Sequence, residues 1–480
     1  MKINARWIAL VVVLAAAYPG ASWYTGKRVA SNLMAAKDQT TQTPFIKIVK
    51  RDYQRGIFTS VEDTTVELNL ASMSKASPAV PSGAGDNAGL DPTNQAAQAI
   101  QATKGQQLPA MQLRFISRIQ HGPFPGLRSF GAASIKTELV LDPASKAELE
   151  KIFGTAAPLQ ISSTLAYGGA GHVTLSSPAF STVTDVDRDK VAWQGVNMEV
   201  DFDKDYKNFR VNLNAPGLTV DSLEGQSFKM GAVSIKGDAS KAYPTGPLYV
   251  GKSEATLASI SFSDKADAKK SFSMQQLSLS TDASIKDDFL SVFVRLGVNK
   301  FMFDQLEFSN FHYDYGLKHL HAPSIAQIST AYSGATADPE KMAALKAVWE
   351  QVGPTIINGQ PELVLERISI VTSDGEAKLT GGMKLVDANG TDISNIMALY
   401  PKVQGNLDIT LTDVLVSKLG GATQKDPDMQ KAALDAMNQQ IASFVEQGYI
   451  NRNGKLLNSK LEWAQGKLTV NGKAFQRPGS

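Results

Sequence analysis

Three groups of residues in this 480-residue chain have the types and spacing to do chemistry. Gly246-Pro247-Leu248-Tyr249-Val250-Gly251-Lys252-Ser253 satisfies the phosphate-cradle spacing GxxxxGK(S/T). That motif works through a flexible backbone between a strand and a helix, with its N–H groups pointing at phosphate. Here Pro, Leu, Tyr and Val fill the cradle, and Ala255 to Ile260 alternates like a strand. A strand–turn–strand with coincidental spacing is expected. Next, His312, Asp314, His319 and His321 lie among Phe311, Tyr313, Tyr315 and Leu317. Imidazoles and a carboxylate can ligate zinc. On one continuous strand, however, His312 and Asp314 point away from His319 and His321. The segment therefore reads as aromatic-rich sheet, and no metal is assigned. The third group centres on His121 in Gln120-His121-Gly122-Pro123-Phe124-Pro125-Gly126. A histidine can serve as base to a serine. No GxSxG elbow, HExxH helix or paired-histidine pattern accompanies it. The plain reading is a rigid turn closing a strand, and no catalytic residue or cofactor is assigned.

Composition narrows the classes further. Lys plus Arg is 48 and Asp plus Glu is 46, a net charge of +2. That charge supplies no basic field, which excludes nucleic acid as a partner. With 0 Cys there is no disulfide, thiolate metal site, cysteine nucleophile or cysteine-borne lipid anchor.

The N-terminus points to export. Lys2 and Arg6 precede an apolar run from Trp7 to Tyr18, and Ala5 to Tyr24 reaches spanning length if Pro19 and Gly20 are tolerated. Trp7, Trp23 and Tyr24 would then sit at the two interfaces, where aromatic side chains prefer to lie. A retained inner-membrane anchor with the bulk of the chain in the periplasm is expected. The alternative is cleavage after Ala15-Ala16-Ala17, leaving a soluble periplasmic protein. Val29, Leu33 and Ala36 extend the pattern as a short amphipathic helix.

The body reads mostly as strands. Period-two alternation marks Val66–Leu70, Leu113–Ile119, Ile135–Leu141, Val196–Phe202, Phe209–Leu213 and Leu407–Leu411. Leu461 and Trp463 face Leu468 and Val470 across a hairpin turn at Ala464-Gln465-Gly466-Lys467. One apolar and one polar face is the pattern of antiparallel sheet covered on one side. Three helices start at Asp142-Pro143, Asp338-Pro339 and Asp426-Pro427, each with Asp at N-cap and Pro at the first position. They are expected to stop at Gly154, Gly353-Pro354 and Gly448, and to pack on sheet through apolar stripes.

The fold class is thus α+β and antiparallel-β-rich, with extended or curved sheets and a few packed helices behind an N-terminal membrane helix. The expected division is 1–25 as signal or anchor, 26–70 as N-terminal helix and first strands, and 71–110 as a disordered insertion. A β-rich domain over 111–330 and a second α+β domain over 331–480 follow. Residues 71–110 are Ala, Ser, Pro, Gly, Gln and Asn without apolar period, too polar to bury a core.

Two patches carry a resemblance. Trp23, Tyr24, Gly26 and Lys27 end the apolar N-terminus, and Tyr53, Gly56 and Phe58 follow. His121, Gly122, Pro123 and Phe124 form the second patch. With the strand-rich body and the closing Gly466-Lys467-Leu468-Thr469-Val470-Asn471-Gly472, they resemble the YdgA family, a bacterial envelope family of unknown function. Residues 71–110 look like an insertion relative to its usual pattern. The resemblance implies an inner-membrane-anchored or periplasmic protein of a Gram-negative cell, and it implies no reaction.

The leading expectation is a non-enzymatic envelope protein whose apolar sheet face contacts lipid or another envelope component. One alternative is a periplasmic hydrolase using His121. Another is a structural or assembly partner acting as a dimer, so a homo-oligomer stands beside membrane and lipid among the expected partners.

Overall fold

A computed structural model of the chain describes residues 46–68, 111–127, 130–184, 187–267, 271–303, 306–334, 339–416 and 427–475. The expected membrane segment, the helix beginning at Val29 and the segment 71–110 lie outside the described residues. Among the described residues, no helix is long and apolar enough to cross a membrane.

The chain divides into two compact units. The first comprises Met1–Pro178 and Asn197–Tyr206. Its strands are β1 (Ile46–Arg55), β2 (Thr59–Leu68), β3 (Met111–His121), β4 (Ala133–Val140), β5 (Gln160–Leu165) and β6 (Gly171–Ser177). Each pairs antiparallel with the next. Leu68 pairs with Met111, so the connection between β2 and β3 joins neighbouring strands in register. Alternation then decides the core, because side chains two apart share a face. Ser60 pairs with Ile119, and Ile119 with Ile135, which places all three on one side. Ile119 and Ile135 are buried with Ala133, and Tyr53, Ala132 and Leu165 pack against them. Helix α1 (Pro143–Phe153) begins after Asp142 and ends at Gly154, whose φ of 62° suits glycine.

The second unit comprises Ala179–Val196 and Lys207–Ser480. It contains β7 (Phe180–Val183), β8 (Lys190–Trp193) and β10 (Asn208–Ala215), while β9 (Val196–Phe202), between them in order, falls in the first unit from Asn197 onward. Then come β11 (Leu218–Asp221), β12 (Gln226–Met230), β13 (Val233–Lys241), β14 (Tyr249–Asp264), β15 (Phe272–Lys286), β16 (Phe289–Phe303) and β17 (Leu306–His321). The last group is β18 (Glu362–Thr372), β19 (Gly375–Leu385), β20 (Val403–Thr412), β21 (Asn451–Asn453), β22 (Leu456–Ala464), β23 (Lys467–Val470) and β24 (Lys473–Ala474). From β13 to β20 every strand pairs antiparallel with its successor, and β22 continues beside β20. β14 begins at Tyr249, so the phosphate-cradle spacing runs into a strand, with no helix to present its N–H groups.

Helix α2 (Ala322–Gly334) was not marked by the sequence pattern, because its Ala, Ser and Thr content carries no clear apolar stripe. Helix α3 (Pro339–Asn358) corrects an expectation. It continues through Gly353-Pro354 for four further residues. Pro354 removes one helical bond, but Val352 and Ile356 on either side are both buried, and that packing carries the helix onward. Gly353 also lies close to Ile393, where a Cβ would meet its Cδ1 at 2.7 Å. Two more helices are α4 (Ile396–Leu399) and α5 (Pro427–Glu446), the latter ending before Gly448 with φ 77°.

Candidate functional site

The residues singled out in the first unit converge. Gly56 turns the β1–β2 hairpin, its N–H donating to the Thr59 carbonyl at 2.8 Å. The Phe58 carbonyl accepts from the His121 N–H at 2.8 Å, which clips the hairpin tip to the end of β3. His121 is 1% exposed and Ser60 is 2% exposed. His121 Nε2 lies 3.0 Å from Ser60 Oγ, and Nδ1 lies 3.4 Å from the Ile57 carbonyl. A carbonyl only accepts, so the proton is assigned to Nδ1 and Nε2 accepts from the Ser60 hydroxyl. Burial pushes the His121 pKa below its ordinary value, and the Ile57 carbonyl works against that push. Tyr53 stands opposite Glu62 across the hairpin, and burial raises its phenol. Glu62 is itself buried and paired with Arg51.

The Gly122-Pro123 peptide is cis. Gly122 N–H donates to the Ala132 carbonyl at 2.7 Å, and Gly131 N–H donates to the Pro123 carbonyl at 3.2 Å. A Cβ on Gly122 would lie 1.9 Å from the Gly131 carbonyl oxygen, so only glycine permits this approach. Phe124 is exposed and meets Phe130 edge-on at 5.6 Å, while Phe130 lies 5.4 Å from Tyr167. Tyr53, Gly56, Phe58, His121, Gly122, Pro123 and Phe124 therefore share one end of this sheet. Trp23, Tyr24, Gly26 and Lys27 lie outside the described residues. Serine and imidazole stand at nucleophile–base distance, yet both are sealed, and a carbonyl occupies the place of an orienting carboxylate. This arrangement fastens the hairpin to β3.

The other histidine group does not assemble. His312 Nδ1 lies 3.4 Å from Asp314. A register shift between Leu290 and Val292, with His319 at φ 57°, breaks the strand parity that the sequence pattern assumed. His319 and His321 both lie against Phe289, at 5.6 and 6.5 Å. Among the described residues no three His, Asp or Glu side chains are grouped to hold a metal.

The second unit presents a broad apolar face. Registers align Leu213, Ile235, Ala255, Leu279, Leu296, Tyr313, Ile368, Leu379 and Ile409 in one row across successive strands. Within it Ile235, Leu279 and Tyr313 are exposed, and the other six are partly buried. Nearer the strand ends, Leu363 pairs with Met383, Met383 with Gly405, Gly405 with Trp463 and Trp463 with Leu468. Gly405 leaves a gap between Met383 and Trp463. Tyr400 borders it, its ring 4.9 Å from that of Trp463. The resulting cavity holds about 400 Å³ and is almost wholly apolar.

Comparison with known proteins bears on this arrangement. Residues 1–478 match the family described as "Bacterial protein of unknown function (DUF945)". The chain belongs to this family. It is also 20% identical over 502 residues to Protein YdgA of Escherichia coli (strain K12), covering 97% of this chain and 93% of that one. No solved structure matches.

In this DUF945 protein the motif residues were legible in sequence, but their partners were not. Ser60, Ile57 and Tyr167 carry no signal of their own, because they meet His121 and Gly122 only through contacts between segments far apart in the chain. Gly405 likewise looked like any strand glycine until Met383 and Trp463 were placed on either side of it.

Proposed function

We propose that this protein is an inner-membrane-anchored envelope protein whose second unit holds lipid acyl chains against its open apolar sheet face. The single observation carrying this is the nine-residue apolar row with its neighbouring Gly405 gap. Large contiguous apolar surface on a folded protein marks a place where something apolar docks. Each Å² of such surface removed from water contributes about 25 cal/mol, so an acyl chain gains by lying along the row. The Trp7–Tyr24 segment supports the location, since it would hold the body beside a lipid source. Near-neutral net charge favours apolar over electrostatic lipid contact.

The test is native mass spectrometry of the purified chain together with titration by a fluorescent acyl probe. Co-purified lipid and saturable probe binding are expected. A lipid-free protein that does not take up the probe would sink the reading. A concentration-dependent dimer that excludes the probe would instead assign the face to a second copy. The hydrolase reading is disfavoured by the burial of Ser60 and His121, which leaves no approach for a substrate carbonyl.

A further inference from the structure

The strands β15, β16 and β17 carry a crease that the acyl-chain reading does not use. Gln276 of β15 has φ 51° and Asn310 of β17 has φ 47°, both left-handed and both within strands. Such geometry is unfavourable for a non-glycine residue and persists only where its surroundings enforce it. The registers place Asn299 of β16 between them. Gln275 pairs with Lys300 and Leu277 with Val298 on one side, while Val298 pairs with Phe311 and Lys300 with Ser309 on the other. Asn299 Nδ2 donates to Gln276 Oε1 at 2.7 Å. The Asn310 distortion is pinned from behind. Ser369 Oγ donates to the Asn310 carbonyl at 3.3 Å, and Arg367 Nε donates to Ser369 Oγ at 2.7 Å.

A cavity of about 430 Å³ opens at this crease. Three amides line it, Gln276, Asn299 and Asn310, together with Thr256, Ser278 and His312, set among alanine, leucine and valine residues that leave most of the lining surface apolar. Its floor is Gly297, where a Cβ would lie 2.9 Å from Ser278 Oγ. No Asp, Glu, Lys or Arg is among the lining residues. Asp314 is not part of the lining and lies 3.4 Å from His312 Nδ1.

The chemistry of this lining is selective. Amides and hydroxyls each offer donors and acceptors. A ligand hydroxyl does the same, so a row of hydroxyls can be satisfied throughout. An ionised ligand would lose water and find no counter-charge. The volume suits a small ligand of two or three rings. We propose that this cavity is a binding site for a neutral saccharide segment. It stands on different residues from the acyl-chain face and does not depend on that reading.

The experiment uses the full-length chain, purified without sugar-headed detergent and titrated calorimetrically with maltotriose and with triacetylchitotriose. At least one is expected to bind saturably with Kd of about 1 mM or tighter. The double variant Q276G/N310G deletes two amides where glycine adopts the same backbone without strain. Its melting temperature is therefore expected to hold or rise while affinity falls by about tenfold or more. Absence of binding by both sugars up to about 20 mM would overturn the proposal. So would undiminished affinity in the double variant, or saturable binding of inorganic phosphate in place of either sugar.

Discussion

His121 Nε2 and Ser60 Oγ lie 3.0 Å apart, each among the most deeply buried polar groups described, and they join strands whose sequence positions differ by 61. Both atoms exchange water for one another, so each depends on the other being present. Replacing His121 by Ala removes the partner 3.0 Å from the Ser60 hydroxyl and leaves a ring-sized void. A loss of about 3 kcal/mol is expected in urea unfolding. Ser60→Ala removes the hydroxyl 3.0 Å from Nε2 and should cost about 1–3 kcal/mol. If the double variant loses the sum of the two, the residues act independently and the latch is wrong.

The same buried ring sets a pH dependence. Burial lowers the His121 pKa in the folded state. Above the ordinary imidazole value of about 6.5 neither state is protonated, and stability is unaffected. As pH falls through that value the unfolded chain takes up a proton that the folded chain does not. Stability is then lost, by up to about 1.4 kcal/mol per pH unit, until the folded pKa is reached. Arg51, Arg55, Glu62 and the phenol of Tyr53 are the charged and titratable groups around the site. Unfolding curves between pH 7 and pH 5 should show this slope in the wild type and a flatter one in His121→Gln.

Gly122→Ala is expected to be more disruptive than its single methyl suggests. The added carbon would lie 1.9 Å from a backbone oxygen of Gly131, which has no free rotation to give way. A loss of about 3 kcal/mol or more is expected. Gly454→Ala is the control, since nothing lies within 4 Å of the Cβ there and only its φ of 61° opposes the change. It should cost about 1 kcal/mol.

Charge on the open face separates acyl binding from folding. Met383 is 48% exposed, so Met383→Asp should shift stability by less than about 1 kcal/mol. Its carboxylate would stand at the mouth of the apolar cavity, and acyl-probe affinity should fall about tenfold. Trp463→Ala should weaken the probe comparably by removing the opposite wall. Unchanged probe affinity in both variants would place the acyl chain elsewhere.

Much of the fold could be read along the chain. Alternation at Leu113–Ile119 and Ile135–Leu141 marked strands, Asp142-Pro143 marked a helix start, and Ala464–Lys467 marked a hairpin. Each of these signals is contained within a few residues, because the strand repeat and helix capping are local. Cysteine absence and near-neutral charge likewise followed from composition alone. What composition and period could not supply was register. Ser60 meets His121, Gly405 separates Met383 from Trp463, and Asn299 comes between two left-handed residues, only once strands far apart in sequence are paired. Pro354 shows the same limit from the other side. Locally it ends a helix, and the burial of Val352 and Ile356 overrides it. The sequence by itself determined which residues alternate and where elements begin. The tertiary structure decided which side chains meet, because pairing register and packing depend on contacts that no local pattern contains.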